Sequence, residues 1–327
     1  MFALVDRAYL YDGSFEGLLC CVFEGFLRRE RPVQILPAGE PTLYPAREIA
    51  TRRERAERVL LGMERKISAE AAELVQLGFL SCEPERERLI FDFVCHAFDV
   101  GRLAADDRAS DIVSRLQKAV FHLEHEAHML TGFVRFSEQN GTLAAVVSPK
   151  NHALFLMREH FCTRFGEERF LIYDNVHREA LVYQPYQSAI VPLEGFVLDA
   201  PDENELRYQT LWKRFYDTIA IEERYNPRCR MNLCAKRYWR NMTELKGEVP
   251  AGPPDYLAAY GLGEDRARVP FAPPEELPLR PAPWQRKGIP RMPYPGSRGF
   301  AQRTLESERQ AGQRSGRIVE KSCEKLT

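Results

Sequence analysis

The sequence predicts an α+β protein with a helical N-terminal part, a small antiparallel sheet, a C-terminal basic helix and a disordered tail. Three observations predict this class. Apolar residues recur at helical spacing to about residue 131, strand-like runs around an Asn-Gly pair follow, and prolines concentrate after residue 250.

The predicted helices begin after recognisable capping residues. Ser14 caps a helix that extends to Arg29, after a short strand candidate at Tyr9–Tyr11. Gly17 and Gly25 lie inside this helix, and because glycine costs about 1 kcal/mol there, we expect another element to pack closely against it. The other N-terminal helices are predicted at about residues 49–65, 69–79 (capped by Ser68), 85–99 and 110–130.

After Gly132 the spacing of apolar residues changes to that of strands. The predicted order is hairpin, helix, hairpin, with strands at residues 133–136, 143–147, 170–173 and 180–183 and a helix at residues 150–165. A further amphipathic helix is predicted at 203–224, with these residues facing inward: Leu206, Leu211, Trp212, Phe215, Tyr216 and Ile219.

The chain divides into one domain and a tail. We expect a domain over residues 1–249, helical over 1–131 and α+β over 132–249. Twelve of the 22 prolines fall in the last 78 residues, where apolar residues become sparse, so 250–327 is predicted to be a disordered, basic tail. Within it, residues 280–317 carry nine basic and two acidic side chains.

Composition excludes some classes of protein. The formal net charge is −1, so a nucleic-acid interaction has to depend on local charge. The sequence has neither a signal-peptide pattern at its start nor about 18 consecutive apolar residues that would span a membrane. The eight cysteines form neither a disulfide framework nor a zinc pair. We therefore expect a reduced cytoplasmic protein with no membrane contact.

Titratable side chains concentrate in the middle of the chain, where six of the seven histidines lie between residues 122 and 177. His122, His125 and Glu126 share one helical face, and a metal can use part of this set, although their order is not H-E-x-x-H. The alternative is a polar helix whose histidines bond to the neighbouring sheet, so the metal is left unassigned. The catalytic candidates are Glu126, His128, His160 and Asp174, with Arg135 and Arg164 as phosphate donors. Structural ion pairs explain the same residues.

A basic segment at residues 224–246 has seven basic residues against one acidic residue, with aromatic rings between them. Arginine and lysine neutralise phosphates while flat rings stack on exposed bases. The nucleic-acid-binding candidates in this segment are Arg224, Arg228, Lys236, Arg237, Tyr238 and Trp239. The alternative is a solvated basic helix whose aromatic rings belong to the core.

Several of these motifs carry a family resemblance when they are taken in order. They are YDGSFEGLLCCVFE at 11–24, E-x-H-x-x-x-G-F-x-R-F at 126–136, H-F-x-x-R-F at 160–165, Tyr173-Asp174, E-R-Y-N-P at 223–227 and K-R-Y-W at 236–239. Over about residues 1–246 the chain resembles an uncharacterised bacterial family assigned to DNA repair or DNA metabolism, typically encoded beside a radical-SAM protein.

The resemblance implies a DNA-related role and a radical-SAM partner, without implying a reaction. Relatives tend to have Met-Pro before the R-Y-W motif, where this chain has Cys234-Ala235. Some relatives are fused to a uracil-DNA glycosylase-like domain, which the segment after residue 250 does not resemble. The cofactor is unknown, and no iron–sulfur cluster is expected because the sequence has no closely spaced cysteine triplet.

The preferred function from the sequence is therefore a DNA-repair or DNA-modification accessory factor that binds DNA and acts with a radical-SAM protein. One alternative is that the chain is itself a metal-assisted hydrolase or nuclease. Another is a non-catalytic interaction scaffold.

Overall fold

The computed structural model describes residues 2–139 and 141–246. It has mixed α and β structure, which confirms the α+β class. The predicted tail at 250–327, with its basic segment at 280–317, lies outside the described residues, as does Asn140 of the predicted Asn-Gly turn. The helices are α1 (Phe15–Arg28), α2 (Arg53–Lys66), α3 (Ala69–Leu80), α4 (Arg86–Val100), α5 (Asp111–Phe133), α6 (Leu154–Arg164), α7 (Glu203–Ile219), α8 (Pro227–Leu233) and α9 (Lys236–Trp239).

The described strands form two sheets. The N-terminal sheet has the order β2-β1-β3 and is parallel throughout, and the second has the order β4-β5-β6-β7-β8. The strands are β1 (Ala3–Tyr11), β2 (Glu30–Pro37), β3 (Ala46–Glu48), β4 (Ser137–Gln139), β5 (Thr142–Val147), β6 (Phe170–Asp174), β7 (Glu179–Gln184) and β8 (Gln187–Pro192).

The predicted helix starts are confirmed at two caps. The Ser14 side chain accepts a hydrogen bond from the Gly17 amide, and the Ser68 side chain accepts one from the Ala71 amide. Each bond satisfies a donor that a helix start otherwise leaves unpaired. The first turns of α1 and α3 are therefore set by local sequence.

The parallel N-terminal sheet was not predicted, because residues 1–131 were expected to be helical apart from one short strand. No strand was predicted at Pro32 or Pro37, because proline lacks the amide proton that a strand donates to its neighbour. They lie in β2, an edge strand of the order β2-β1-β3, where a residue without an amide proton is tolerated. Strand β1 is also longer than the predicted Tyr9–Tyr11 segment.

The second sheet contains the predicted hairpin β6–β7 and a hairpin β4–β5 whose first strand lies later than predicted, with α6 between them. It is mixed and not purely antiparallel, because β5 and β6 pair in parallel across the α6 crossover. The predicted strand at residues 133–136 is wrong, since α5 continues through Phe133 and β4 begins at Ser137. Strand β8 was not predicted at all.

Two hydrophobic cores share helix α5. The first core collects buried residues between Tyr9 and Val120, and the second collects buried residues between Ala127 and Leu245. The early turns of α5 contribute Leu116 to the first core, and its last turns contribute Leu130 to the second. Helix α5 thus carries residues of both cores on one rigid element.

Helix α7 corrects one expectation about burial. Of the residues predicted to face inward, Tyr216 packs against the second core. The other five keep between 40% and 60% of their surface exposed: Trp212, Leu206, Phe215, Ile219 and Leu211. An amphipathic pattern identifies an apolar face but does not say what covers it. None of the helices in the described ranges is long and apolar enough to cross a membrane.

The close packing expected at glycine in α1 gives a stability prediction. A Cβ atom at Gly25 would lie 2.6 Å from the ring of Phe91 and 3.0 Å from the Glu30 carbonyl. We expect Gly25→Ala to lower the free energy of unfolding by about 1–3 kcal/mol, because the ring and backbone must move apart. Urea denaturation of the two proteins measures this difference.

Gly62→Ala is the matched control. Gly62 lies in α2, and the nearest atom to an added Cβ is Cζ of Phe98 at 3.7 Å. We expect this change to raise stability by about 0.5–1 kcal/mol, as alanine does in an uncrowded helix. Equal stability of Gly25→Ala and wild type would contradict the close approach of α1 to Phe91.

Candidate functional site

A buried carboxylate, Glu126 on α5, joins three separate segments of the chain. Its oxygens accept hydrogen bonds from the backbone amides of Lys150 (3.0 Å) and Asn151 (2.9 Å) and from the Asn151 side chain (2.6 Å). From α9, Arg237 donates at 2.8 Å and the Tyr238 hydroxyl donates at 2.5 Å. We call these five residues the Glu126 network.

The Glu126 network holds its carboxylate ionised. Burial alone would raise the pKa of Glu126, but hydrogen bonds from Tyr238, Asn151 and Lys150 and the charge of Arg237 lower it overall. A carboxylate has about four acceptor positions, and protein donors occupy them here. These bonds give Glu126 a structural role, and its catalytic role stays a prediction.

A second group of titratable side chains surrounds Asp174. Nδ1 of His177 donates to Oδ2 of Asp174 at 2.6 Å, while Oδ1 accepts from the amides of Val176 and His177. The His177 ring lies 3.9 Å from the His152 ring between centroids. Nδ1 of His152 lies 3.3 Å from Oε1 of Glu179. We call His152, Asp174, His177 and Glu179 the histidine cluster.

Burial and mutual charge set the protonation of the histidine cluster. Burial and the charges of His177 and Arg86 lower the pKa of His152 well below its ordinary value. Burial alone would lower the pKa of His177, but Asp174 raises it overall through its charge and hydrogen bond. Burial raises the pKa of Glu179. At neutral pH the cluster therefore holds His152 neutral, while His177 and Glu179 retain protons more tightly than usual.

The parallel strands β5 and β6 bring the histidine cluster together. His152 follows β5, and Asp174 ends β6, so both lie at the carboxyl edge of the parallel pair. Asp174 lies directly opposite Glu179 in the β6–β7 register, which puts their side chains on one face. His152 also donates its amide to the Leu80 carbonyl, which ties the cluster to the end of α3.

Sequence reasoning identified Asp174 but missed His152, His177 and Glu179 as its neighbours. The Asp-x-x-His spacing after a predicted strand points to the Asp174–His177 pair, because a turn brings these positions together. His152 has no such local pattern, since its approach depends on parallel pairing between distant strands.

The remaining catalytic candidates lie in other settings. His128 and His160 are exposed on α5 and α6. Partial burial, the charge of Arg164 and then the charge of His128 lower the pKa of His160, so the two histidines lie near each other. Thus Glu126, His128, His160 and Asp174 occupy three environments and do not gather around one point. The predicted metal face of α5 is also divided, because Glu126 is buried while His122 and His125 are exposed.

Arg135 and Arg164 differ in their availability to a ligand. Arg135 pairs with the buried Glu244 carboxylate at 2.8 Å and lies over the Trp212 ring at 5.3 Å. The indole of Trp212 donates to the same carboxylate at 2.9 Å. Arg135 thus stabilises the contact between α7 and the chain after α9. Arg164 is exposed, with its guanidinium 5.8 Å from the Phe165 ring.

The basic segment divides into an exposed and an inward part. Tyr238 and Trp239 keep 6% and 3% of their surface exposed, and Arg237 bonds to Glu126. The Trp239 indole donates to the Cys234 carbonyl at 2.8 Å. The base-stacking role expected for these two rings is therefore corrected: both belong to the second core because α9 packs them there.

The exposed part of the basic segment lies on the turn before α8, on α8 and at the start of α9. Arg224, Arg228 and Lys236 are exposed, and none of them forms an ion pair within the described residues. Tyr225 lies between them in sequence with 72% of its surface exposed. We call these four residues the basic surface.

The Glu126 network gives a second stability prediction. Glu126→Gln removes the charge that balances the partly buried Arg237, so we expect a loss of about 3 kcal/mol in the free energy of unfolding. The loss should shrink on acidification. Because the folded-state pKa of Glu126 is lowered, its ionised carboxylate stabilises the folded state at pH values above the ordinary glutamate pKa of about 4.3. That contribution is lost as the pH falls through the folded-state pKa. Urea denaturation of both proteins between pH 7 and pH 3 measures the difference.

Glu64→Gln is the control for this prediction, since Glu64 is an exposed helical glutamate on α2 without an ion pair in the described residues. Its effect should stay within about 0.5 kcal/mol at every pH. A Glu126→Gln protein as stable as Glu64→Gln would show that the carboxylate does not hold the three segments together.

No curated protein and no solved structure is significantly similar to this chain. One family model matches it, over residues 84–244, a range that includes the Glu126 network, the histidine cluster and the basic surface. That match is to DUF4130, a domain of unknown function.

Proposed function

We propose that the protein is a cytoplasmic DNA-binding accessory factor in DNA repair or DNA modification that acts with a radical-SAM protein. The observation that supports DNA binding best is the basic surface. Between residues 224 and 240 the chain has six basic residues and no acidic one, although its formal net charge is −1. A local excess of positive charge on a near-neutral protein favours one site for a polyanion.

The basic surface has the two components that unpaired nucleic acid requires. Arg224, Arg228 and Lys236 supply exposed positive charge for phosphates. Tyr225 supplies an exposed ring on which a base can stack. Bases in a duplex already stack on each other, so a surface of this kind favours single-stranded DNA.

The geometry beneath the basic surface supports a rigid presentation of these groups. Asn226 accepts a hydrogen bond from the Cys229 amide and caps α8, which begins at Pro227. The Arg230 guanidinium lies 4.6 Å from the ring of the buried Trp239, which ties α8 to the second core. A surface that is already ordered avoids part of the entropy cost of binding.

Helix α7 supports a protein partner. Tyr208, Leu211, Phe215 and Ile219 fall on one side of the helix by its 3.6-residue period, and each is more than half exposed. Contiguous exposed apolar surface of this kind is typical of protein–protein contacts. That the partner is a radical-SAM protein rests on the family resemblance.

The DNA proposal predicts a change in salt dependence. Replacing Arg224, Arg228 and Lys236 by glutamine should reduce the slope of log affinity against log salt by about two for single-stranded DNA, because about 0.7 counterions are released per phosphate contact. Tyr225→Ala should cost about 1–3 kcal/mol of binding free energy and leave the slope unchanged. Fluorescence anisotropy with a labelled oligonucleotide at several salt concentrations measures both.

The matched control replaces three exposed basic residues away from this surface, Arg65, Lys66 and Arg102, by glutamine. This control changes the net charge by the same amount as the first triple variant. Because its residues lie outside the basic surface, its DNA affinity and salt slope should remain close to those of wild type. If both triple variants weaken binding alike, the interaction is a response to net charge and the basic surface is not the site. A wild-type protein without salt-dependent affinity for DNA rejects the proposal and favours the scaffold alternative.

The partner proposal is tested separately on α7. Leu211→Asp with Phe215→Asp places two charges on the exposed apolar side, and it should abolish co-purification of the co-expressed radical-SAM protein while leaving DNA affinity unchanged. Lys213→Asp on the same helix changes charge without removing apolar surface and serves as the control. Retained co-purification in the double variant would place the contact elsewhere.

A further inference from the structure

The histidine cluster has the donor atoms of a metal centre that the functional proposal does not use. One donor atom each from His152, His177 and Glu179 lies within 4.8 Å of the other two. Zinc holds such ligands at about 2.0–2.2 Å, so these side chains need to move by less than about 1 Å each to enclose an ion. Among the described residues this is the one group of three histidine, cysteine or carboxylate donors that meets this distance.

Asp174 orients one of these donors. Its carboxylate is fully buried and accepts from Nδ1 of His177, which leaves Nε2 of that ring as the remaining nitrogen. Histidine ligands of metals usually donate their second ring N–H to a carboxylate in this way, which fixes the tautomer and orientation of the ring. Asp174 is in turn fixed by the Val176 and His177 amides.

We propose that His152, His177 and Glu179 bind a divalent first-row transition metal ion, with Asp174 positioning His177. Two imidazoles and one carboxylate form the ligand set of zinc hydrolases and of non-haem iron sites, and both types keep coordination positions open for water or substrate. The His152 and His177 side chains keep 24% and 14% of their surface exposed, so an ion can reach them from solvent.

The charge balance of the histidine cluster favours a cation. Glu179 and Asp174 are both buried, and a buried carboxylate is costly without a positive partner. A divalent ion would compensate both carboxylates.

The competing explanation is a structural cluster, in which His177 donates to Asp174 and its ring packs against that of His152. Both explanations use the same contacts, but they differ in response to metal. A metal centre binds one equivalent of ion and releases protons on binding, because His177 and Glu179 must be deprotonated. Affinity then rises with pH as those groups lose their protons. A structural cluster binds no ion.

The test is a titration of the purified full-length protein with Co²⁺ and Zn²⁺. Calorimetry in two buffers of different ionisation enthalpy gives stoichiometry and proton release, and the Co²⁺ absorption spectrum reports the ligands. We expect one equivalent, net proton release and visible cobalt bands without thiolate charge-transfer absorption. Thiolate absorption would assign the ion to cysteines, of which Cys82 and Cys229 are exposed, and would overturn the proposal.

Variants locate the ion. His177→Ala and Glu179→Gln should remove stoichiometric binding, and Asp174→Asn should weaken it by about 10–100-fold. The matched control is His96→Ala, because His96 forms a similar pair with Asp107 at 2.9 Å but has no third donor. If His177→Ala does not fold by circular dichroism, Asp174→Asn decides, since it nearly keeps the shape of the side chain. Wild-type protein without one equivalent of bound ion, or unchanged binding in Asp174→Asn and Glu179→Gln, overturns the proposal.

Discussion

The second half of the chain is organised around one buried carboxylate, that of Glu126, which requires hydrogen-bond donors from distant segments. Glu126 projects from α5 into the interior, where an ionised group without donors would be strongly destabilising. Its donors come from the loop after β5 and from α9, more than 20 and more than 110 residues away in sequence. A helix of four residues such as α9 is not stable alone. Its bonds to Glu126 and the burial of Trp239 therefore fix its position.

This arrangement decides what the basic segment presents to solvent. Arg237 and Tyr238 turn inward to Glu126, whereas the neighbouring Lys236 and Arg228 of α8 are exposed. Sequence alone assigned all of these residues to one nucleic-acid surface, since it records charge but not direction. The structure divides them between internal support and exposed charge.

The parts of the fold that could be predicted are those set by local chemistry. The serine caps at Ser14 and Ser68 and the β6–β7 hairpin depend on neighbours in sequence, and they were found. The parallel pairing of β5 with β6 depends on contacts between distant segments, and it was missed. The outward direction of Phe215 on α7 was missed for a related reason, because its apolar pattern is equally compatible with a buried helix. The candidate site followed the same rule: Asp174 was found, and His152 was not.

The Glu126 network and the histidine cluster meet in one loop, which connects these two groups of buried polar side chains. Lys150 and Asn151 donate their amides to Glu126, and the ring of the next residue, His152, packs against that of His177. Asn151 also accepts from the Cys82 amide, so the segment that follows α3 also holds this loop. Three successive residues are thus fixed from three directions. An imidazole that follows such a constrained backbone loses little conformational freedom on meeting a ligand, which is the condition for a preorganised site. The structural role of Glu126 and the chemistry available at His152 are therefore two consequences of the same loop conformation.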